Sequence, residues 1–383
     1  MMQQPRAGPA SVRVLIINDH LGFSGGEIHG VTRWMGQVVP RLQEHGIDAS
    51  VCILRGQHPG ARELEAIGIQ PLILARSKWD PRAFVDVCRL VRTRNIDVLH
   101  LMGEKGMAIG RMAAAVTDRP AIIHFHDMIQ PSRILRAVHR RLVRWTKKAL
   151  ANSPATASFA MTQYALPAEI VVTMPNALDV GHFSDVAPEA RSRLRLELGI
   201  AADARVVGVL GRLARVKGQD VLIRAFPQVL QDCPDAYLIV IGTGPDEDEY
   251  RTLATELRIA ERVIFTGHRT DVPELLSALD VVAVPSMWDE AFGFTALEAI
   301  AAGKPVVASE SGGLSLTVLE GVTGFLVPRG NPEALAGALR GVLLDEELRD
   351  QLGDGAVRHA RTFGIDKYVR DLVAVYRSVA EID

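Results

Sequence analysis

Two glutamates beside a glycine are the strongest candidates for chemistry in this sequence. Glu290 and Glu298 lie eight residues apart in DEAFGFTALEAIAAG, residues 289–303. On a continuous helix this spacing gives about 12 Å of rise and about 80° of rotation, so both carboxylates could face one cleft. Gly293 permits close backbone approach, and a helix that begins near Phe294 would direct amide groups at an anion. A phosphate there, with a carboxylate binding hydroxyls on either side, is the geometry that a nucleotide-sugar needs.

Two cations, Arg212 and Lys217, follow a predicted strand in GRLARVKG, residues 211–218. Arginine offers a two-pronged donor to phosphate oxygens, and lysine offers a point charge. Two cations at the carboxyl end of a strand could stabilise a diphosphate as it leaves, without a metal ion. We therefore expect no metal site and no cofactor.

Two glycine-rich segments also follow predicted strands. GFSGGE, residues 22–27, leads from a strand that ends at Asn18 into a helical run, which is typical of a phosphate or sugar site. It lacks both the GxGxxG dinucleotide fingerprint and the lysine of a P-loop. GTGP, residues 242–245, could bring the backbone of Gly242 and Gly244 near a ligand.

His124 and His126 lie at the end of a predicted strand over residues 121–125. Alternation sends both side chains to one side, and the end of the strand frees His126 to enter a cleft. There it could donate a hydrogen bond to a sugar hydroxyl or polarise the reacting centre. A third ligand at helical spacing is missing, so zinc binding is not expected.

Residues 133–148 carry seven basic residues and no acidic one. In a helix, five of these cations form a stripe opposite Ile134, Val138, Leu142 and Trp145. Such a helix could contact an anionic membrane surface at the inner face of a membrane. We prefer the interpretation in which the apolar face packs on a sheet and the cations are solvated.

Each candidate also has a purely structural interpretation. The two glutamates could be solvated acids on a helix surface, although their segment is too apolar for a solvated face. The two cations could belong to an ordinary surface turn, the glycine-rich segments could be simple turns, and His124 could be a hydrogen-bonded core histidine. The residues that make the glutamate segment apolar are Phe292, Phe294, Leu297 and Ile300.

Short apolar runs alternate with helical segments along the chain, which predicts right-handed βαβ units and parallel sheets. The first series of predicted strands is 12–18, 49–54, 71–75, 97–102, 121–125 and 170–174. The second series is 205–210, 237–241, 263–265, 281–284, 305–308 and 325–327. Residues 178–200 are predicted to be a linker with one charged helix.

The fold class is therefore α/β, with two doubly wound parallel-sheet domains. Because ligands bind beyond the carboxyl ends of such strands, two facing sheets would form an active-site cleft between the domains. We predict a first domain over residues 1–184 and a second over residues 185–365. Residues 366–383 would form an amphipathic C-terminal helix.

Composition excludes several classes of protein. The net charge of −2, from 43 basic and 45 acidic residues, argues against a dedicated nucleic-acid binder. Cys52, Cys88 and Cys233 form neither a CxxC pair nor a disulfide framework, which fits a reducing compartment. Residues 1–11 have no apolar core typical of a secretory signal, and no apolar stretch approaches the length of a membrane span. We therefore expect a cytoplasmic protein.

Several of these motifs together resemble the retaining family 4 glycosyltransferases of the GT-B fold, which have two facing Rossmann-like domains. In the second domain the resemblance covers nearly all of the sequence. It is carried there by GRLARVKGQDVLIRAF (211–226), GTGP, DVVAVPS (280–286), DEAFGFTALEAIAAGKPVVAS (289–309) and EGVTGFLVP (320–328). In the first domain it rests on Gly25–Gly26, His126–Asp127 and PNALD (175–179). Ala177 departs from the commoner glycine, and Glu27 lies adjacent to the glycine pair instead of two positions after it.

The resemblance implies a role for each candidate residue. Arg212 and Lys217 would hold the donor diphosphate, Glu290 the donor sugar and Glu298 the ribose. The implied donor contacts also include Gly25, Gly26, Gly242, Gly244, His268, Phe292, Gly293, Phe294 and Thr295. His126 would lie against the transferred sugar. The first domain would bind the acceptor and the second the donor, and the helix over residues 366–383 would pack back on the first domain. The partners are a nucleotide-sugar donor, UDP first and GDP next, and a carbohydrate or lipid-linked acceptor.

We expect transfer with retention, in which an oxygen of the leaving diphosphate helps to deprotonate the acceptor hydroxyl. The sequence shows no base–nucleophile pair that would form a covalent intermediate. Polysaccharide, lipopolysaccharide or glycolipid biosynthesis is the setting that the resemblance implies. Two alternatives are a nucleotide-sugar epimerase of the same two-domain plan and a non-catalytic protein that binds sugar nucleotides.

Overall fold

A computed structural model describes residues 11–22, 30–56, 58–77 and 80–380. The chain divides into two compact units. The first comprises Met1–Ala177 with Ile365–Asp383, and the second comprises Leu178–Gly364. Each unit is a parallel β-sheet covered by helices, so the α/β fold class and the two parallel-sheet domains are confirmed.

In its described residues the first unit has a seven-stranded parallel sheet with strand order β3-β2-β1-β4-β5-β6-β7. Its strands are β1 (Val12–Asn18), β2 (Ile47–Ile53), β3 (Leu72–Ile73), β4 (Val98–Leu101), β5 (Ala121–Phe125), β6 (Lys148–Ala151) and β7 (Val171–Thr173). Its helices are α1 (Gly30–Glu44), α2 (Pro59–Ala66), α3 (Arg82–Thr93), α4 (Glu104–Thr117), α5 (Arg133–Arg141) and α6 (Pro154–Tyr164).

The register of β1 explains why that strand is apolar at nearly every position. Ile16 is paired with Val51 of β2 and with His100 of β4. Alternate side chains of β1 enter different cores, with Ile16 in one and Leu15 in the other. A strand with helices on both faces has no solvated side, which is why its sequence is a continuous apolar run.

The second unit repeats this architecture. Its described residues form a six-stranded parallel sheet in the order β10-β9-β8-β11-β12-β13. The strands are β8 (Val206–Leu210), β9 (Tyr237–Ile241), β10 (Val263–Gly267), β11 (Val281–Val284), β12 (Val306–Ser309) and β13 (Gly324–Val327). The helices are α7 (Val180–Ser184), α8 (Glu189–Glu197), α9 (Gln219–Asp232), α10 (Glu247–Glu256), α11 (Val272–Ala278), α12 (Phe294–Ala301), α13 (Leu314–Thr317), α14 (Pro332–Leu344) and α15 (Glu346–Ala360).

The last helix, α16 (Ile365–Ala380), belongs to the first unit. Tyr368, Leu372 and Tyr376 are buried in the core that includes Ile16 of β1. The hydroxyl of Tyr368 accepts a hydrogen bond of 2.8 Å from the indole N–H of Trp34 on α1. α16 therefore belongs to the same core as β1 and α1.

The prediction for residues 178–200 is confirmed in its charged helix, which is α8 (Glu189–Glu197), but is wrong in treating the rest as a linker. This stretch contains α7 and α8, and Leu178, Phe183 and Leu194 are buried in a core of the second unit. The polar residues and the helix breakers concealed these anchors. The second unit accordingly begins at Leu178, whereas the sequence suggested a boundary at residue 185.

The predicted helix over residues 133–148 is also wrong in its second half. α5 ends at Arg141, a 3₁₀ turn follows over Val143–Trp145, and Lys148 already begins β6. β6 was not predicted, because its residues KALA are weak strand formers. The predicted apolar face of this helix is not buried throughout, since Ile134 is 78% exposed.

Among the described residues, no helix combines the length and the apolar character needed to cross a membrane.

Candidate active site

The second unit brings two loops to the same edge of its sheet. β8 and β11 are parallel neighbours, with Val207 paired with Val281. The loop after β8 carries the cations and the loop after β11 carries the first glutamate. Because parallel strands end at one edge, the topology itself brings these distant parts of the chain together.

Gly218 allows the two loops to touch. Its φ of 72° is left-handed, and a Cβ atom built on it would lie 2.0 Å from the carbonyl oxygen of Pro285. Close by, the backbone N–H of Met287 donates a hydrogen bond of 2.9 Å to the carbonyl oxygen of Val216. Only glycine tolerates both the backbone angle and the contact at this position.

The contact between the loops places Lys217 beside Glu290. The Nζ of Lys217 lies 2.7 Å from Oε1 of Glu290, and the hydroxyl of Ser286 donates a 2.6 Å hydrogen bond to the same oxygen. Lys217 also lies 4.9 Å from the centroid of the Trp288 ring, within the range of a cation–π contact. Only 8% of Glu290 is exposed, so its carboxylate is largely shielded from water, whereas the side chain of Lys217 is half-buried.

The ion pair determines the ionisation of Glu290. Burial by itself raises the pKa of this carboxyl group, but Lys217 and hydrogen bonds from Ser286 and Trp288 outweigh burial and hold the pKa below its usual value. Glu290 is therefore an anion at neutral pH. It can only accept hydrogen bonds, and sugar hydroxyls can donate them.

A third loop, after β12, fixes the backbone on both sides of Glu290. The hydroxyl of Ser311 accepts a 2.9 Å hydrogen bond from the N–H of Glu290 and donates a 2.7 Å bond to the carbonyl oxygen of Trp288. The N–H of Gly313 donates to the carbonyl oxygen of Glu290 at 2.7 Å. The carboxylate is thus held by three strand ends of one sheet.

The helix that carries Glu298 begins where the sequence predicted, at Phe294, but Glu290 is not part of it. The estimate of rise and rotation between the two glutamates is therefore wrong, because residues 290–293 form a loop. Glu298 is 8% exposed, so neither glutamate is a solvated surface acid. Gly293 precedes the helix with φ of 90°, and a Cβ atom there would lie 2.4 Å from Leu314.

The start of α12 exposes its residues unequally. Phe294 and Thr295 are half-buried, whereas Phe292 is 2% exposed and packs against Phe294 and Phe363. The side chain of Phe292 is thus a core residue, and a ligand could reach only its backbone. The first amides of a helix lack partners within the helix, so this terminus suits an anion.

Arg212 and the GTGP segment form a second layer of loops. The side-chain amide of Gln219 donates to the carbonyl oxygen of Arg212 at 2.9 Å, and Arg212 is half-buried. Cβ atoms on Gly242 and Gly244 would lie 2.1 Å and 2.2 Å from the carbonyl oxygens of Gly211 and Leu213. These glycines therefore let the GTGP backbone pack against the loop after β8, and their predicted contact with a donor stays a prediction.

The remaining predicted donor contacts are dispersed. His268 is exposed and directly follows β10. Gly25 and Gly26 lie outside the described residues. The contacts that the structure supplies therefore centre on Lys217 and Glu290.

In the first unit, His124 is fully buried at the end of β5 and His126 is half-buried just beyond it. Their ring centroids are 3.9 Å apart. Burial lowers the pKa of His126 to about 3, although a hydrogen bond with Asn176 opposes this effect. His126 is consequently a neutral imidazole at physiological pH, able to donate or accept one hydrogen bond at each nitrogen.

Sequence reasoning missed the residues that position Glu290. Ser286 lies two residues after β11, and Ser311 lies two residues after β12. Trp288 lies two residues before the glutamate. Their one signal is position, because each lies in a loop that follows a strand of the same sheet. Within the described ranges, no group of three or more metal-ligating side chains occurs.

Comparisons with known proteins agree with this architecture. Residues 28–182 match the model of Glycosyltransferase Family 4, and residues 190–359 match the model of Glycosyl transferases group 1. A D-inositol 3-phosphate glycosyltransferase of Corynebacterium glutamicum is 40% identical over 218 residues, which are 55% of this chain and 52% of that protein. The chain thus spans about half the length of the curated relatives that it matches.

Solved structures match over nearly the whole chain. Crystalline Anabaena HepE bound to UDP has a TM-score of 0.85 at 26% identity, covering 96% of this chain and all of HepE. Its complex with UDP-glucose has a TM-score of 0.82 at 26% identity, over 96% of this chain and 99% of HepE. With one family model over most of the first unit and another over most of the second, this chain belongs to the family 4 glycosyltransferases and has the GT-B fold.

Proposed function

We propose that this chain is a retaining glycosyltransferase that moves a sugar from a nucleoside-diphosphate sugar to an acceptor hydroxyl. The observation that carries the proposal is the ion pair between Lys217 and the buried Glu290, beside the start of α12. It offers a cation for a diphosphate and an ionised carboxylate for sugar hydroxyls within one loop cluster. UDP is the preferred nucleotide, because HepE binds UDP and UDP-glucose.

The positive charge needed for the reaction comes from the protein itself. As the bond between the anomeric carbon and the diphosphate breaks, negative charge grows on the leaving oxygen. Lys217 and Arg212 would stabilise that charge, with the amides at the start of α12 as further donors. We propose on this basis that the reaction is independent of metal ions.

Retention follows if the acceptor attacks from the side that the diphosphate leaves. The acceptor hydroxyl forms the new bond to the anomeric carbon, and its proton passes to the departing phosphate oxygen. Glu290, already paired with Lys217 and Ser286, binds the sugar and does not act as the nucleophile. His126 as a hydrogen-bond partner of the transferred sugar stays a prediction of the family resemblance.

The acceptor is proposed to be a carbohydrate or lipid-linked hydroxyl, as in polysaccharide, lipopolysaccharide or glycolipid synthesis. The curated relatives add D-inositol 3-phosphate as one acceptor to be tested. A cytoplasmic location, and contact of residues 133–148 with an anionic membrane, stay predictions.

Donor binding is the first test. Thermal unfolding in the presence of UDP-, GDP- and ADP-glucose should give the largest stabilisation with UDP-glucose, because a ligand that binds only the folded state raises its stability.

Products formed with inositol 3-phosphate and with oligosaccharide acceptors are then analysed by NMR for the configuration at the anomeric carbon. Inversion would exclude the proposed mechanism, and an isomeric sugar formed from the donor alone would indicate an epimerase.

A pair of matched variants tests the assignment of Glu290. Glu290→Gln keeps the shape but removes the charge, and we expect transfer to fall about 100-fold. Glu249→Gln is the control, since Glu249 is an exposed carboxylate paired with Arg215 at 2.9 Å. Equal activity in the two variants would show that the charge of Glu290 is not needed for transfer, which would contradict its proposed role.

A further inference from the structure

A chain of hydrogen bonds runs through the core of the first unit toward His126. The hydroxyl of Tyr376 on α16 is 2.7 Å from Nδ1 of His100 on β4, and Nε2 of His100 is 3.1 Å from Nδ1 of His124 on β5. Tyr376, His100 and His124 are fully buried. The ring of His124 then lies against the ring of His126, with centroids 3.9 Å apart.

The direction of this chain follows from counting protons. If the phenol of Tyr376 donates to Nδ1 of His100, then His100 carries its proton on Nε2 and donates to Nδ1 of His124. His124 must then carry its own proton on Nε2. One buried group, the Nε2–H of His124, is left without a partner among the described residues.

The opposite direction leaves more groups unsatisfied. Nδ1–H of His100 would donate to the Tyr376 oxygen, and the phenolic proton would then have no acceptor in the described part of the chain. The bare Nε2 of His124 would lack a partner as well. Because each unsatisfied buried polar group destabilises the folded state, the first direction is favoured.

Both histidines are neutral, as this arrangement requires. Burial lowers the pKa of His100 to about 3 and lowers the pKa of His124 well below its usual value, and the neighbouring histidines add to the effect. The phenol of Tyr376 keeps its proton, since burial raises its pKa. Every link is therefore a hydrogen bond between neutral groups, with a single proton at each position.

We propose that Tyr376 is a positioning residue: through His100 it fixes His124 in the Nε2–H form, and the ring of His124 orients His126. The inference rests on the proposed function only in giving His126 a role at the sugar. It makes the C-terminal helix α16 part of the machinery behind the carboxyl end of β5. A buried neutral chain of this kind holds a ring in one orientation without introducing a charge.

The test reads the protons directly. Side-chain ¹⁵N spectra of the full chain at pH 7, assigned by single substitutions among its eleven histidines, report which ring nitrogen carries the proton. We expect His100 and His124 to be in the Nε2–H form. In Tyr376→Phe, His100 loses its donor, so its tautomer should change or become mixed, and the signals of His124 and His126 should shift.

Tyr368→Phe is the matched control. It removes a buried hydroxyl from the same helix, but Tyr368 accepts from Trp34 and makes no hydrogen bond with the histidines. Its histidine tautomers should equal those of the natural chain. In transfer assays with UDP-glucose, Tyr376→Phe should lower kcat about 10-fold with little change in the donor KM, whereas Tyr368→Phe should stay within about 2-fold.

The outcomes separate this inference from the proposed function. Nδ1–H tautomers at His100 or His124 in the natural chain overturn it, even if Tyr376→Phe fails to fold. Unchanged His124 and His126 signals in a folded Tyr376→Phe variant overturn it too. If no sugar donor binds, the proposed function fails. The tautomers still decide whether the proposed chain of hydrogen bonds exists.

Discussion

The two units use one topology to present opposite chemistry at their strand ends. In both sheets the central strands are followed by loops that carry the polar residues. In the first unit these residues include His124 and His126, which are neutral and packed against Trp34. In the second unit the corresponding edge carries the charged pair of Lys217 and Glu290.

The difference shows how the surroundings select the ionisation state. Burial is the largest cause at both histidines and lowers their pKa. Glu290 is nearly as buried, but Lys217 stabilises its anion and lowers its pKa. An edge of neutral imidazoles suits hydroxyl groups, whereas an edge with a lysine and a helix start suits phosphate.

A fall in pH should destabilise the two units unequally, and this is the largest effect that we expect. The pKa of His100 and that of His139 are lowered to about 3, by burial and by the neighbouring His126 and Arg111 respectively. Burial also lowers the pKa of His124 well below its usual value. Unfolded histidine titrates near 6.5, so below that pH the unfolded state binds more protons. Stability is therefore lost as pH falls from about 6.5 toward 3, by up to about 1.4 kcal/mol per pH unit for each histidine.

The pKa of Glu290 is also lowered, but its contribution is complete above the unfolded value of 4.5 and is lost only as pH falls below it. The buried histidines should thus destabilise the first unit by pH 5, before the loss at Glu290 affects the second, although burial raises the pKa of Asp19 and Asp127 and so opposes the histidines. Hydrogen-exchange mass spectrometry at pH 7 and pH 5, corrected for intrinsic rates, would resolve the two units. Equal loss of protection in both would contradict this difference.

Lys217→Ala tests the charged edge. Without the cation, the leaving diphosphate loses its nearest positive charge, and we expect kcat/KM to fall about 100-fold or more. Arg215→Ala is the control, because Arg215 lies in the same 3₁₀ turn but is exposed and paired with Glu249. Steady-state kinetics with UDP-glucose would show whether the position of the charge matters or only its presence on this loop.

Gly218→Ala tests the contact between the two loops. The left-handed φ costs about 1 kcal/mol for any residue with a Cβ atom, and the contact 2.0 Å from Pro285 should raise the loss of stability to about 3 kcal/mol. Gly199→Ala is the control, since Gly199 has a similar φ of 68° and nothing within 4 Å of its Cβ position. Urea unfolding of both variants isolates the contact; similar losses would show that the loops can separate freely.

Much of the fold could be predicted from the sequence where strands are buried on both faces. The strands Val12–Asn18, Tyr237–Ile241 and Val281–Val284 have the predicted bounds, because a short apolar run rich in β-branched residues favours a strand buried on both faces over a helix. β6 could not be found in this way. It is four residues long and begins in a basic run that has helical periodicity.

The site was predictable only in its charged members. Lys217 and Glu290 are conspicuous because a lysine after a strand and a glutamate among apolar residues need an explanation. Ser286 and Ser311 carry no such signal, since serine is common in loops. Ser286 bonds a side chain four residues away in an irregular loop, and the partners of Ser311 are backbone groups of a different loop. Likewise, Tyr376 is 276 positions from His100, and no periodicity connects them.

The smallest expected effect concerns one of these overlooked serines. Ser311→Ala removes the acceptor of the Glu290 N–H and the donor to the Trp288 carbonyl, which should cost about 1 kcal/mol of stability and raise the donor KM a few-fold at unchanged kcat. Ser315→Ala, at an exposed serine bonded to Gly312 at 3.3 Å, is the control and should be nearly neutral. Because the charges of Lys217 and Glu290 remain in Ser311→Ala, a fall in kcat would mean that the orientation of Glu290, and not its charge alone, stabilises the transition state. The neutral edge of the first unit depends on orientation in the same way. That result would therefore show that the two sites work more alike than their charges suggest.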